Sequence, residues 1–159
     1  MREALLFLLL LVLPACSSSA KQVRVLLRPS ADLNGSRSCY VLARAVEEGE
    51  FSAESYDDVA AMVGTPDESV QRTVVLLPGR DQEITLSPPE KGRLAFYALL
   101  RQPEDDGWRV LLPSPLPDKL ELRLDRGRLC WAGDKEESTT PSGRCPARIV
   151  ERPVNSSGP

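Results

Sequence analysis

Any acid–base or nucleophilic chemistry in this chain would have to run without histidine, because its 159 residues contain none. Serine and cysteine triads in their usual form need an imidazole to take the nucleophile's proton, so they are excluded. A Ser–Lys dyad would need both groups on a helix, and no Ser-x-x-Lys falls on a predicted one. Carboxylates cluster at Glu47, Glu48 and Glu50, at Asp57 and Asp58, and at Glu104, Asp105 and Asp106. A glycosidase pair needs two carboxyl groups facing one cleft. These clusters instead fall on loops or at a helix start, where acidic groups are solvated or complement the positive helix end. The turn at Asp105 and Asp106 lacks the spaced oxygen ligands of a calcium loop. With neither histidine nor Cys-x-x-Cys, no zinc site is expected. Trp108 and Trp131 fall in predicted strands and are expected to pack across a sheet rather than form a ligand platform. Together these residues point to a binding module, not an enzyme, and to no metal or dissociable cofactor.

The cysteines carry the remaining chemistry. Cys16 follows Met1-Arg2-Glu3, an apolar run over 4–13, and Pro14-Ala15. A positive residue, a short apolar run and small residues make a secretory signal peptide, and the run is shorter than the ~20 residues that span a bilayer. Leu13-Pro14-Ala15-Cys16 resembles the bacterial lipobox, which implies cleavage after residue 15 and a diacylglycerol and acyl lipid on Cys16. The alternative is ordinary cleavage after Ala20, which would discard Cys16. Export permits disulfides, yet Cys39, Cys130 and Cys145 are an odd number, which leaves one thiol over. A Cys130–Cys145 bridge would staple the tail to the last strand; three unbridged thiols are the alternative. The net charge of −3 offers no basic face for nucleic acid.

These groups sit on a series of short strands. Residues 23–27 predict a first strand, and 30–37, dense in turn formers, a loop. A second strand over 38–44 places Cys39, Val41 and Ala43 on one face and Tyr40, Leu42 and Arg44 on the other. Glu47 to Glu50 reads as a charged loop. Ser55 to Asp58 forms a capping-box variant that starts a helix carrying Tyr56, Val59, Met62 and Val63 on its apolar face, stopped by Gly64 and Pro66. Strands over 73–77 and 82–86 flank Pro78-Gly79-Arg80-Asp81 as a hairpin. Two further hairpins join 94–101 to 108–112 and 119–124 to 128–132. Leu94 to Leu100 is apolar almost throughout, which predicts a strand buried on both faces. The pattern predicts an all-β, two-sheet antiparallel β-sandwich with one short helical excursion. Its parts are a signal peptide over 1–15, a lipidated tether over 16–22, the sandwich over 23–133, and a tail over 134–159 that is expected to be disordered unless Cys145 ties it down.

The order of features resembles a known family. A lipobox, a strand, an Asp-Leu-Asn loop, a second strand and a helix beginning near Phe51 are followed by Leu76-Leu77-Pro78-Gly79-Arg80. Then come Leu94-Ala95-Phe96-Tyr97-Ala98-Leu99-Leu100-Arg101, an acidic turn, Gly107-Trp108-Arg109-Val110 and a last hairpin. Over most of 16–132 this is similar to the TssJ/VasD/SciN family, the outer-membrane lipoproteins of the bacterial type VI secretion system. The resemblance implies a transthyretin-like sandwich without catalytic activity. It implies a lipid anchor in the inner leaflet of the outer membrane, facing the periplasm. It also implies that the domain holds the periplasmic C-terminal part of the inner-membrane protein TssM and so helps the membrane complex assemble. The family's contact element is the loop between the first two strands, here Ser30, Ala31, Asp32, Leu33, Asn34, Gly35, Ser36 and Arg37. Asp32 and Asn34 would supply polar recognition, Leu33 an apolar anchor and Gly35 a tight turn. Two other functions remain open on the residues: a lipoprotein that binds a carbohydrate or small ligand through Trp108, Trp131 or Tyr97, and a hydrolase using the acidic loops.

Overall fold

Alternation builds the first strand: in β1 (Val23–Pro29), Val23, Val25, Leu27 and Pro29 are buried, while Arg24 and Arg28 stay in water. That period of two makes one face of a strand apolar and the other solvated. A computed structural model of the chain describes residues 21–132 and Cys145. The expected signal peptide, Cys16 and the rest of the expected tail lie outside the described residues.

After β1 come β2 (Cys39–Val46), two short helices α1 (Glu48–Ala53) and α2 (Tyr56–Ala61), then β3 (Val70–Leu76) and β4 (Gln82–Leu86). They are followed by β5 (Arg93–Ala98), β6 (Arg109–Leu111), β7 (Lys119–Leu124) and β8 (Leu129–Ala132). The strands form two four-stranded sheets, ordered β4-β1-β7-β8 and β3-β2-β5-β6. Their facing surfaces make the main core, with Val25, Leu27 and Leu122 from one sheet and Val41, Phe96 and Val110 from the other. The two-sheet sandwich expected from the strand pattern is therefore the fold.

Three details differ from the expectation. β1 pairs with β7 in parallel, Val25 opposite Leu120 and Leu27 opposite Leu122, so the sandwich is not wholly antiparallel. Periodicity names a strand's faces but not its neighbours. The connection 77–81 is not a hairpin: β3 pairs with β2 and β4 with β1, so the chain crosses there from one sheet to the other. The excursion is two helices, because Phe51 is buried and draws residues 48–53 into a turn of helix despite Gly49.

Both helices cover the outer face of the second sheet, where Leu42, Ala95 and Tyr97 meet Phe51 and Val59. The second begins as the sequence predicts: Ser55 Oγ accepts from the Asp58 amide at 3.2 Å and Asp58 Oδ2 accepts from the Ser55 amide at 3.4 Å. A register shift between Ala43 and Arg44 marks a bulge in β2, and there Arg44 enters the outer layer almost fully buried. Its guanidinium pairs with Glu54 and, at 2.7 Å, with Glu50, while the Tyr97 hydroxyl donates to the other oxygen of Glu54. Burial, reinforced by that carboxylate, pushes the Tyr97 hydroxyl well above its usual range, so it stays a donor. Arg109 completes the attachment: Nη1 donates to the carbonyls of Phe51 (2.6 Å) and Glu54 (3.1 Å), and its plane lies 5.0 Å from the Phe51 ring.

Candidate partner-binding end of the sandwich

Strand directions bring four connections to one end of the molecule. β1 runs away from the amino-terminal side, and because β7 is parallel to it, the loop 30–38 and the turn 125–128 emerge together. The antiparallel pairings of β2 with β3 and β5 add the connections 77–81 and 99–108. They are fastened to one another by backbone bonds. Ser30 N–H donates to Leu124 O at 2.8 Å, Asn34 N–H to Asp125 O at 3.3 Å, and Gly79 N–H to Ser30 O at 3.0 Å. Glu104 N–H donates to Gly127 O at 2.8 Å. Gly127 is buried against this contact, where a Cβ would come within 2.9 Å of Glu104 Cγ and 3.0 Å of Gln102 O.

The loop over 30–37 divides into residues that hold it and residues it presents. Leu33 is fully buried in the main core, packed with the strands' inward side chains. It therefore anchors the loop to its own domain, which corrects the expectation that it would anchor a partner: an apolar side chain beside an open core goes into it. Asn34 is also buried. Its Nδ2 donates to Ser38 O at 2.9 Å and its Oδ1 accepts from the Arg101 amide at 2.7 Å, so it bolts the loop to the strand after it and to the β5–β6 connection. Asn34 is thus spent inside the domain, and of the two polar residues expected to recognise a partner only Asp32 is exposed. Asn34, Gly35 and Ser36 have φ of 49°, 68° and 60°, a full left-handed turn closed by Arg37 N–H donating to Leu33 O at 2.9 Å. Glycine takes that region freely and asparagine tolerates it, but serine there costs about 1 kcal/mol. Ala31, Asp32, Gly35, Ser36 and Arg37 are exposed and Ser30 is half-buried. Ser30 Oγ donates to Asp32 Oδ1 at 2.6 Å, which orients that carboxylate outward.

The other candidate groups lie elsewhere. Tyr97, Trp108 and Trp131 are all buried; Trp108 stacks edge-on with Tyr56 at 5.2 Å beneath the helices. None presents a face to a sugar, which removes the aromatic platform on which the ligand-binding alternative rested. The carboxylates are dispersed: Glu50 holds Arg44, Asp58 caps α2, and Asp106 meets Arg109 at 3.0 Å. Cys130 and Cys145 are bonded, with Cys145 N–H donating to Trp131 O at 3.0 Å along β8. Cys39 is a free thiol, buried at the start of β2, and burial pushes it up to about 11. Sequence reasoning missed the buried Arg44–Glu54–Tyr97 cluster. The signal was present, since Arg44 shares the Leu42 face of an apolar strand, but nothing local named its carboxylate.

The result is a sandwich whose fastened end presents a strained polar loop. Solved structures share the fold. TssJ1, the type VI secretion lipoprotein of Pseudomonas aeruginosa, matches with a TM-score of 0.58 at 19% identity, over 71% of this chain and 95% of that one. A chain in the structure of the TssM C-terminal domain (869–1107) from EAEC matches with 0.60 at 18% identity, over 71% and 98%. Lip of Serratia marcescens, a membrane-bound component of the type VI secretion system, matches with 0.58 at 13% identity, over 72% and 99%. No curated protein matches. A family model for the N-terminal domain of IglE matches residues 40–124, more than half of the chain, and the chain belongs to that family. The resemblance to the type VI secretion lipoproteins read from the sequence therefore stands.

Proposed function

We propose that this protein is a non-enzymatic lipoprotein of a type VI secretion membrane complex. It is anchored by a lipid on Cys16 in the inner leaflet of the outer membrane and holds the periplasmic C-terminal domain of a TssM-type inner-membrane protein. The observation that carries the reading is the loop 30–37: a left-handed turn pinned from below by Leu33 and Asn34, with Asp32, Gly35, Ser36 and Arg37 outward. Strain kept in a surface turn by buried fastenings marks a segment whose shape is used. The kinship with type VI lipoproteins supports the same reading, and one related chain comes from a structure bearing the TssM name. Two or more acyl chains hold a protein firmly, and without a polybasic patch the lipid would be its membrane contact.

The test is affinity purification of the intact lipoprotein from native membranes, with mass spectrometry of its amino terminus and of the proteins that accompany it. An acylated Cys16 and a large inner-membrane partner are expected. An unmodified terminus, or purification of the lipoprotein alone, refutes the anchor or the partner respectively.

A further inference from the structure

The helices cover only part of the second sheet's outer face. Along β2, Leu42 and Arg44 lie beneath them, but Tyr40, two residues earlier on the same face, is 45% exposed. Its neighbours across the sheet are Val75 on β3, directly opposite, and Leu99, whose amide donates to Tyr40 O at 2.9 Å. Val75 is 48% exposed, and Leu77, two residues on, 44%. These are the large exposed apolar side chains among the described residues; Tyr40 and Val75 lie side by side across β2 and β3, and Leu77 follows the end of β3. A shallow concavity joins Tyr40 and Leu99 to Arg37, Arg101 and the loop's Asn34. Arg37 and Arg101 are exposed, and among the described residues neither is within ion-pair distance of a carboxylate. Both cations lie against the apolar side chains of this concavity and give it a local positive charge in a chain of net charge −3.

We infer that this patch is a docking surface for an acidic polypeptide segment carrying an apolar side chain. The apolar group would sit on Tyr40, Leu99 and Val75, and its carboxylates would meet Arg37 and Arg101. The inference rests on the proposed partner and names the chemistry of its contact. Charge complementarity selects the occupant, since apolar burial supplies affinity and unlike charges supply orientation and encounter rate. A phospholipid headgroup fits less well. β1 is 7 residues long and runs from the amino-terminal side to this end, which places the patch about 20 Å from where the tether enters. The backbone at both arginines is hydrogen-bonded: Asn34 Oδ1 accepts from the amide of Arg101, and Arg37 N–H closes the left-handed turn.

The experiment measures binding of the full lipoprotein, in detergent, to the purified periplasmic domain of the cognate TssM-type protein. The variants are Arg101→Glu, Arg37→Glu, Tyr40→Ala and Arg101→Lys, each checked for an unchanged melting temperature. The expected result is a loss of at least tenfold in affinity for the two reversals and for Tyr40→Ala, near-normal binding for Arg101→Lys, and wild-type affinity that falls as salt is raised. Wild-type binding that the reversals and Tyr40→Ala leave intact overturns this inference and spares the proposed function. Absence of binding by the wild type overturns both. Comparable binding to phosphatidylglycerol vesicles, lost in the same variants, overturns the choice of a polypeptide.

Discussion

Replacing Asn34 by alanine tests whether the candidate loop is held by that side chain. Two hydrogen bonds are lost, one from Nδ2 to Ser38 O at 2.9 Å and one to Oδ1 from the Arg101 amide at 2.7 Å. A hydrogen bond contributes about 1 kcal/mol net, and its stranded partner costs up to about 3 kcal/mol when water is shut out. Ser38 and Arg101 are both exposed residues, so water reaches their backbone and the lower figure applies to each. Alanine must also adopt the φ of 49° that asparagine tolerates, about 1 kcal/mol more. The sum is about 3 kcal/mol, a substantial part of the 5–15 kcal/mol by which domains are typically stable. It corresponds to a melting temperature lower by roughly 10 °C. Asn34→Gly separates the terms, because glycine accepts the backbone angle yet makes neither bond; it should cost about 2 kcal/mol. Urea unfolding followed by circular dichroism measures both. If the two variants fall within ~0.5 kcal/mol of wild type, Asn34 does not fasten the loop and the reasoning fails.

Cys145→Ser opens a loop of 15 residues and should lower stability by about 3 kcal/mol, seen as an equal loss on reducing the wild type and none on reducing the variant. Arg44→Ala leaves the buried carboxylate of Glu54 without its cation and should cost about 3–5 kcal/mol, whereas Arg44→Met with Glu54→Gln should recover most of that in denaturant titrations. Cys39 should resist iodoacetamide in the native protein at pH 8 and react at once in urea, since a thiol pushed up to about 11 is about one part in a thousand thiolate there. The folded state holds that proton more tightly than the unfolded one. Cys39 therefore favours folding below about pH 9, and its contribution is lost as pH rises through about 11, measurable as falling stability in alkaline titrations.

What the sequence made legible was local. Alternation in 23–27 and 119–124, the apolar run 94–100 and the capping box at Ser55 each mark an element from its own residues, and the structure places strands at Val23–Pro29, Lys119–Leu124 and Arg93–Ala98 and a helix at Tyr56–Ala61. Partnership between distant elements was not legible. Pro78-Gly79 marks a turn as well for a crossing between sheets as for a hairpin, and nothing in 23–29 names 119–124 as a parallel neighbour. The loop shows the same limit. Its turn formers announce where the chain reverses, but whether Leu33 faces a partner or its own core depends on the space left beneath it by Val25, Val41 and Leu122. Arg44 was legible only as a polar residue on an apolar strand; its carboxylate lies 10 residues on, just past the end of a helix that the glycine at 49 disguised.

The place of β1 has a mechanical consequence. It lies inside its sheet, bonded to β4 on one side and β7 on the other. The chain enters it from the amino-terminal side and leaves it into the loop 30–38. Under the proposed function, tension between a lipid anchor and a partner on that loop would run along the strand axis. The backbone bonds on both flanks are then sheared together rather than peeled one at a time, so the load is shared by two ladders at once. A domain strung this way resists pulling most along the line that joins its two attachments.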